Sequence, residues 1–201
     1  MSDLIDDLVG IAPGDPLDAL RAKRPVARSD AQATYDGLIT APADLTRATA
    51  AERAAIGYWV ASLSRADRLA DHYRALLDAV DPAVRSAIDD ALPGALTTGP
   101  YGSYPEGPLS VEDEDGLHWV ARPELRHGVG ERLAAALEHA HLLTYRPRDA
   151  SPDALQNLLD AGWSTDGVVT VSQLVAFTHF QLRVIAGLSV LKDLIVGKEA
   201  I

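Results

Sequence analysis

Cysteine is absent from this 201-residue chain. Its absence excludes a disulfide framework, a redox dithiol, a thiolate nucleophile and a zinc site with thiolate ligands. Cationic side chains are also few, because 18 Lys and Arg stand against 29 Asp and Glu and leave a formal charge of −11. Nucleic-acid binding depends on Lys and Arg that neutralise phosphates, so we expect no nucleic-acid partner.

Aromatic residues make up only 5% of the chain, and Ala and Leu supply most of its apolar content. Ala and Leu favour helices, whereas strands are enriched in Val, Ile, Tyr and Phe. With 47% apolar and 23% charged residues, the chain has the composition of a globular protein with one sizeable core. The composition therefore predicts an all-α fold.

The N-terminal segment is acidic and lacks the basic residues and apolar run of a secretory signal peptide. We therefore expect a cytoplasmic protein. Apolar spacing and caps predict three short helices here, with Pro25 as a break between the last two. These helices cover residues 2–9, 16–22 and 31–39. We interpret residues 1–44 as a helical leader packed on the core and residues 45–201 as one helical domain.

The domain begins with a strong helix signal. Thr49 and Glu52 form a capping-box pattern, and apolar residues then recur at helical spacing. Caps, breakers and apolar stripes delimit the other helices in the same way. The predicted helices of the domain are 50–63, 65–80, 82–92, 130–143, 152–160 and 168–191.

A long loop divides these helices into two halves. Pro and Gly recur through the first part of residues 93–123, and no apolar stripe is present there. Loops of this length inside a compact domain are either functional or linkers. We expect Trp119, near the end of the loop, to pin it to the body of the domain.

The last predicted helix is apolar on all sides, which is typical of a central or interfacial helix. Its length would also suit a membrane span, but polar residues occupy its middle, where they are costly in lipid. These residues are Gln173, His179, Gln181 and Arg183. We therefore expect a buried helix in a soluble homo-oligomer, and no membrane partner.

Two segments carry a resemblance to a known family. Residues 48–77 hold a capped helix and a charged helix, and residues 158–191 hold a Gly-Trp-Ser turn and an apolar helix. The family-like positions of the second segment are Gly162, Trp163, Ser164, Phe180, Arg183, Gly187 and Leu188. The pattern resembles the AhpD-like superfamily, which contains carboxymuconolactone decarboxylases and alkylhydroperoxidases. This resemblance implies an AhpD-like all-α subunit that assembles as a homo-oligomer, whether dimer, trimer or hexamer.

The chain departs from this family at the residues that carry the peroxidase chemistry. Typical members have a glutamate, a Cys-x-x-Cys pair and a histidine four residues later. With His72 as that histidine, Arg65 and Arg68 stand at the cysteines and Arg53 stands at the glutamate. A register shifted by one residue gives no cysteine either. Peroxide reduction by a thiolate is therefore excluded for this chain.

In one interpretation the chain is an enzyme. The decarboxylase branch of the family works by acid/base chemistry on a lactone and needs no cysteine. A histidine beside carboxylates can shuttle a proton near neutral pH, and a guanidinium can bind a substrate carboxylate through two hydrogen bonds. The catalytic candidates are Glu52, Asp71, His72 and Tyr73, with Asp67 nearby. The candidates for binding a small carboxylate or lactone are Arg65, Arg68, His179 and Arg183.

Other interpretations remain open. The charged residues between 64 and 74 fall at helical neighbour spacings that are typical of a solvated face, and Glu52 completes a capping box. The chain could also be a non-catalytic oligomeric partner, or a module that binds a small molecule between its halves.

A metal site has little support in the sequence. Glu138 and His141 have the spacing that helical metal sites use, but nothing fixes further ligands. No phosphate-binding loop, dinucleotide fingerprint, nucleophile elbow or H-E-x-x-H motif is present. We therefore expect neither a metal nor a cofactor.

Overall fold

The computed structural model describes residues 3–199 and confirms the all-α prediction, since no strand is found in that range. Ten α-helices are found among these residues. They are α1 (Leu4–Val9), α2 (Pro16–Ala22), α3 (Pro25–Tyr35), α4 (Ala50–Leu63), α5 (Asp67–Val80), α6 (Pro82–Ala95), α7 (Pro123–Val129), α8 (Glu131–Tyr145), α9 (Pro152–Asp160) and α10 (Thr165–Glu199). A π-helical turn, Asp36–Thr40, follows α3 directly.

The chain divides into two compact units. One unit holds Asp44–Thr178, and the other holds the residues up to Ala43 together with those from His179 onward. The first boundary falls close to the predicted end of the leader. The second lies inside α10, so the later part of this helix groups with the N-terminal helices.

In the larger unit, α4 is the central helix. Its residues from Arg53 to Ala61 are all buried, and Trp59 is fully enclosed. The capping box predicted for Thr49 and Glu52 is confirmed. Helix α5 packs closely against α4, because the ring of Tyr73 occupies the space that a Cβ on Gly57 would need. A glycine therefore fixes the contact between these two helices.

In the smaller unit, charged groups organise the N-terminal helices. The Asp6 carboxylate is 4% exposed and accepts hydrogen bonds from Arg21 and Arg28. Arg28 also pairs with Asp18, at 2.8 Å. From α10, the ammonium group of Lys192 donates to the Val9 carbonyl at 3.1 Å. These contacts tie α1 to its neighbours and to the later part of α10.

Three predicted helices have bounds that differ by three residues or more from those in the structure. Helix α3 begins at Pro25, whereas the sequence predicted a break there and a start at residue 31. Proline suits the first position of a helix because its missing N–H has no partner there in any case. Helix α6 runs through Pro93 to Ala95, and α10 is longer at both ends than the predicted 168–191.

The predicted loop is confirmed as the segment between α6 and α7. It contains only a short 3-10 helix, Pro108–Glu112, and a single bridge between Gly102 and Glu114. The ring of Trp119 lies 4.9 Å from that of Trp59 and 5.4 Å from that of His141. The prediction that Trp119 pins the loop is confirmed.

Among the described residues, one helix, over Thr165–Ile195, is long and apolar enough to cross a membrane, and 33% of its apolar stretch is buried. Core helices of soluble proteins meet the same criterion, so this is weak evidence for a membrane protein.

Candidate functional site

Glu52, a predicted catalytic residue, has both carboxylate oxygens engaged. Oε2 accepts from the Thr49 backbone N–H at 2.8 Å and from the Thr49 hydroxyl at 3.2 Å. Oε1 accepts from Nε of Arg132 at 2.7 Å. The carboxylate therefore joins the start of α4 to the start of α8, and its catalytic role stays a prediction.

Arg132 extends this junction to the turn before α10. Its guanidinium lies 3.9 Å from the ring centroid of Trp163 and donates to the carbonyls of Gly162 and Arg47 at 3.1 and 3.0 Å. The indole N–H of Trp163 donates in return to the Arg132 carbonyl at 2.7 Å. Arg132 was not among the predicted residues, although Trp163 belongs to the family-like turn.

The other predicted catalytic residues lie on α5 and face different surroundings. Tyr73 is fully buried against Gly57. His72 is half-buried with its ring 5.5 Å from that of Tyr73, and burial lowers the pKa of His72. Asp71 is exposed and lines an open groove. Glu52 and His72 do not line this groove, so it does not assemble the predicted catalytic set.

The open groove between α4, α5 and α6 has a volume of about 510 Å³ and an acidic lining. Its charged and polar residues are Tyr58, Ser62, Asp67, Asp71, Arg74 and Asp89. Burial, followed by the hydrogen bond to Asp89, raises the pKa of Tyr58 to about 12. Burial acts to raise the pKa of Asp89, but donation from Tyr58 and Arg85 outweighs it and lowers the pKa.

The predicted carboxylate-binding residues are divided between the two units. Arg65 and Arg68 are both exposed, and Arg65 occupies the turn between α4 and α5 with a φ of 53°. His179 and Arg183 belong to the smaller unit, where Arg183 donates to the His179 carbonyl at 2.9 Å. Burial, and then the nearby Arg183 charge, lower the pKa of His179.

An aromatic cluster forms the interior of the larger unit beside the loop. Its members are Trp59, Trp119, His141 and Tyr145. Trp59 donates to the Leu137 carbonyl at 3.0 Å, and the Tyr145 hydroxyl donates to the Leu63 carbonyl at 2.5 Å. His141 also donates to the Ala95 carbonyl at 3.0 Å. The same side chain therefore contacts both the end of α6 and Trp119 of the loop.

A cavity of about 370 Å³ opens beside Trp119, between α6 and α7. We call it the Trp119 cavity, and it is lined by Ala87, Asp90, Ala91, Trp119, Arg122, Glu124 and Leu125. The Arg122 guanidinium lies over Gly94, with Nη2 3.1 Å from where a Cβ would be. Arg122 is exposed, and no ion pair or hydrogen bond of its guanidinium is found within residues 3–199. The cavity thus combines an apolar wall, an indole and an available cation.

The sequence did not predict this cavity. Its signal was the short sequence distance between Trp119, Arg122 and Glu124, where an aromatic and two charged residues flank the start of a helix. Loops that a rigid scaffold positions often carry binding residues. The walls from α6 could not be foreseen, because the hydrophobic pattern does not say which helix the loop returns to.

The residues considered for a metal have other partners. Glu138 accepts from the Ala121 backbone N–H at 2.8 Å and from Arg126, while His141 bonds to Ala95. No group of three or more suitable ligands is found in the described part of the chain.

Comparison with known proteins gives no relative. No protein-family model matches the chain. No curated protein and no solved structure matches it at a significant level. The likeness to the AhpD-like superfamily therefore rests on the residues of the sequence.

Arg132→Ala is expected to destabilise the larger unit by about 2–4 kcal/mol, because it leaves Glu52 without its ionic partner and removes the Trp163 stack. Urea unfolding followed by circular dichroism measures this loss. Arg122→Ala, which removes a guanidinium without a described partner, is the matched control and should change stability by less than about 0.5 kcal/mol. Equal stability of the two variants would show that the junction at Glu52 contributes nothing.

His139 should make stability depend on pH. It is 5% exposed, neither ring nitrogen has a hydrogen-bond partner among the described residues, and burial lowers its pKa from 6.5. As pH falls, His139 is therefore protonated at a higher pH in the unfolded chain than in the folded chain. The stability that neutral His139 contributes is complete above pH 6.5 and is lost as pH falls through the lowered folded-state pKa.

His139→Leu should lose less free energy of unfolding between about pH 7.5 and 5 than the wild type does, since each unit of pKa lowering costs about 1.4 kcal/mol in acid. Urea titrations at both pH values measure the difference. The exposed His127→Gln serves as the control and should behave like the wild type. If His139→Leu keeps the pH dependence of the wild type, buried His139 is not the cause of the loss of stability in acid.

Proposed function

We propose that this chain is a cysteine-free, AhpD-like cytoplasmic protein that binds a small organic carboxylate in the Trp119 cavity and has no thiol peroxidase activity. The all-α fold and the Gly162-Trp163 turn before α10 support the family part of the proposal. The absence of cysteine supports the negative part.

The observation that carries the binding part is the environment of Arg122. A guanidinium matches the geometry of a carboxylate and binds it through two parallel hydrogen bonds. Arg122 presents such a group to a cavity whose other walls include Trp119 and Leu125. The volume of about 370 Å³ lies within the range of small-molecule sites.

An acid/base step on the bound molecule would use the carboxylates that line the same cavity. Asp90 lies on α6 and Glu124 on the first turn of α7. Either could accept a proton from a ligand held by Arg122. Binding is the primary proposal, and catalysis by these two residues is its extension.

Binding is tested with 3-phenylpropionate, whose carboxylate suits Arg122 and whose ring suits Trp119. Quenching of tryptophan fluorescence should report saturable binding, and Arg122→Ala should weaken it about 10- to 100-fold through loss of a charged hydrogen bond. The neutral amide of the same skeleton should bind as weakly as the variant. Trp119→Phe should remove most of the quenching.

Arg68→Ala is the matched control, because Arg68 is exposed and was itself a predicted carboxylate-binding residue. Its affinity should equal that of the wild type. A loss of binding in Arg68→Ala but not in Arg122→Ala would move the site to α5, and absence of saturable binding would overturn the proposal.

A second candidate role, that of an oligomeric partner, has its own observation. In the smaller unit, α10 exposes Phe180, Arg183, Gly187, Val190 and Leu194, at alternating spacings of three and four. This is the spacing of a helix seam, and Phe180 and Leu194 lie seven residues on either side of Gly187. We propose a homodimer through α10, in which two antiparallel copies cross at Gly187, where nothing occupies the space around the backbone.

In that arrangement Phe180 of one copy faces Leu194 of the other. Phe180→Glu should therefore convert a dimer into a monomer, as measured by sedimentation equilibrium, while the ligand affinity of the Trp119 cavity stays unchanged. Val169→Glu is the control, because Val169 is an exposed apolar residue of α10 outside this seam. A wild-type protein that sediments as a monomer would exclude the dimer.

A further inference from the structure

The Trp119 cavity holds more negative than positive charge. Its charged lining residues are one arginine, Arg122, and two acids, Asp90 and Glu124. A ligand with a carboxylate alone would be attracted by Arg122 and repelled by both acids. The charge balance of the cavity therefore suits a ligand that carries a positive group as well.

The neighbouring acids differ from these two in being paired. On α6, Asp89 accepts from Tyr58 and pairs with Arg85 at 2.5 Å. On α8, Glu131 and Glu138 both pair with Arg126. By contrast, Asp90 and Glu124 are exposed, and no hydrogen bond or ion pair of their side chains is found in the described part of the chain. Among the acids of α6, α7 and α8, the two without partners are thus the two that line the cavity.

The apolar walls limit what the rest of the ligand can be. Ala87 and Ala91 present methyl groups from α6, and Leu125 is buried beneath α7. The Trp119 indole is fixed by its contacts with Trp59 and His141, so it offers a rigid aromatic surface. Such a surface favours an apolar or aromatic group and also attracts an ammonium group.

We propose that the ligand is zwitterionic, a small amino acid with an apolar or aromatic side chain. This inference rests on the proposed carboxylate-binding function and adds the ammonium group to it. Arg122 holds the carboxylate, Asp90 and Glu124 hold the ammonium, and the side chain lies against Trp119 and Leu125.

Three compounds with one skeleton test the inference. L-Phenylalanine carries both charges, 3-phenylpropionate carries the carboxylate alone, and phenethylamine carries the ammonium alone. Isothermal calorimetry on the full chain should give L-phenylalanine an affinity at least about 10-fold higher than that of either analogue, because an added charge-assisted hydrogen bond contributes about this much.

Variants that remove a charge test which residues bind the carboxylate of the ligand and which bind its ammonium group. The double variant Asp90→Asn, Glu124→Gln should abolish the preference for L-phenylalanine over 3-phenylpropionate, without weakening 3-phenylpropionate. Arg122→Ala should abolish the preference for L-phenylalanine over phenethylamine. The double variant Asp115→Asn, Asp153→Asn is the control, because both acids are exposed and neither lines the cavity, and it should leave all three affinities unchanged.

The outcomes separate this inference from the function on which it rests. If 3-phenylpropionate binds as tightly as L-phenylalanine, the zwitterion is wrong and carboxylate binding stands. If phenethylamine binds most tightly, or none of the three compounds binds, both proposals are wrong.

Discussion

The packing of Trp119 against Trp59 and His141 is the contact on which the candidate site depends. The loop between α6 and α7 is rich in Pro and Gly and has almost no internal secondary structure, so its own hydrogen bonds cannot fix its course. Buried aromatic surface contributes on the order of 25 cal/mol per Å², with further stabilisation from the ring contacts. The Trp119 indole therefore anchors the end of the loop, together with the hydrogen bond from the Ala121 N–H to Glu138. The cavity forms where the loop returns to α6.

Polar groups in the larger unit fall into two classes. Glu52, Arg132 and Trp163 satisfy one another across long sequence separations, and they hold the starts of α4 and α8 and the turn before α10 together. Arg122 and the two acids of the Trp119 cavity have no such partners among the described residues. The polar groups that hold these elements together are thus distinct from the charged residues of the cavity, which we propose bind the ligand.

Much of the fold could be predicted from the sequence because its signals are local. The capping box at Thr49, the loop and the role of Trp119 depend on neighbouring residues or on composition, and the structure confirms them. The start of α3 was mistaken since proline can either end a helix or begin one. The candidate site was harder, because Arg132 lies 80 residues from Glu52, a separation at which periodicity carries no information.

Hydrogen exchange with and without saturating L-phenylalanine tests most directly whether the Trp119 cavity is the binding site. Exchange should slow in the backbone amides of residues 86–94 and 119–126, which border the cavity, and should stay unchanged in residues 67–74 of the open groove. Slower exchange confined to residues 67–74, or no change anywhere in the larger unit, would contradict this account.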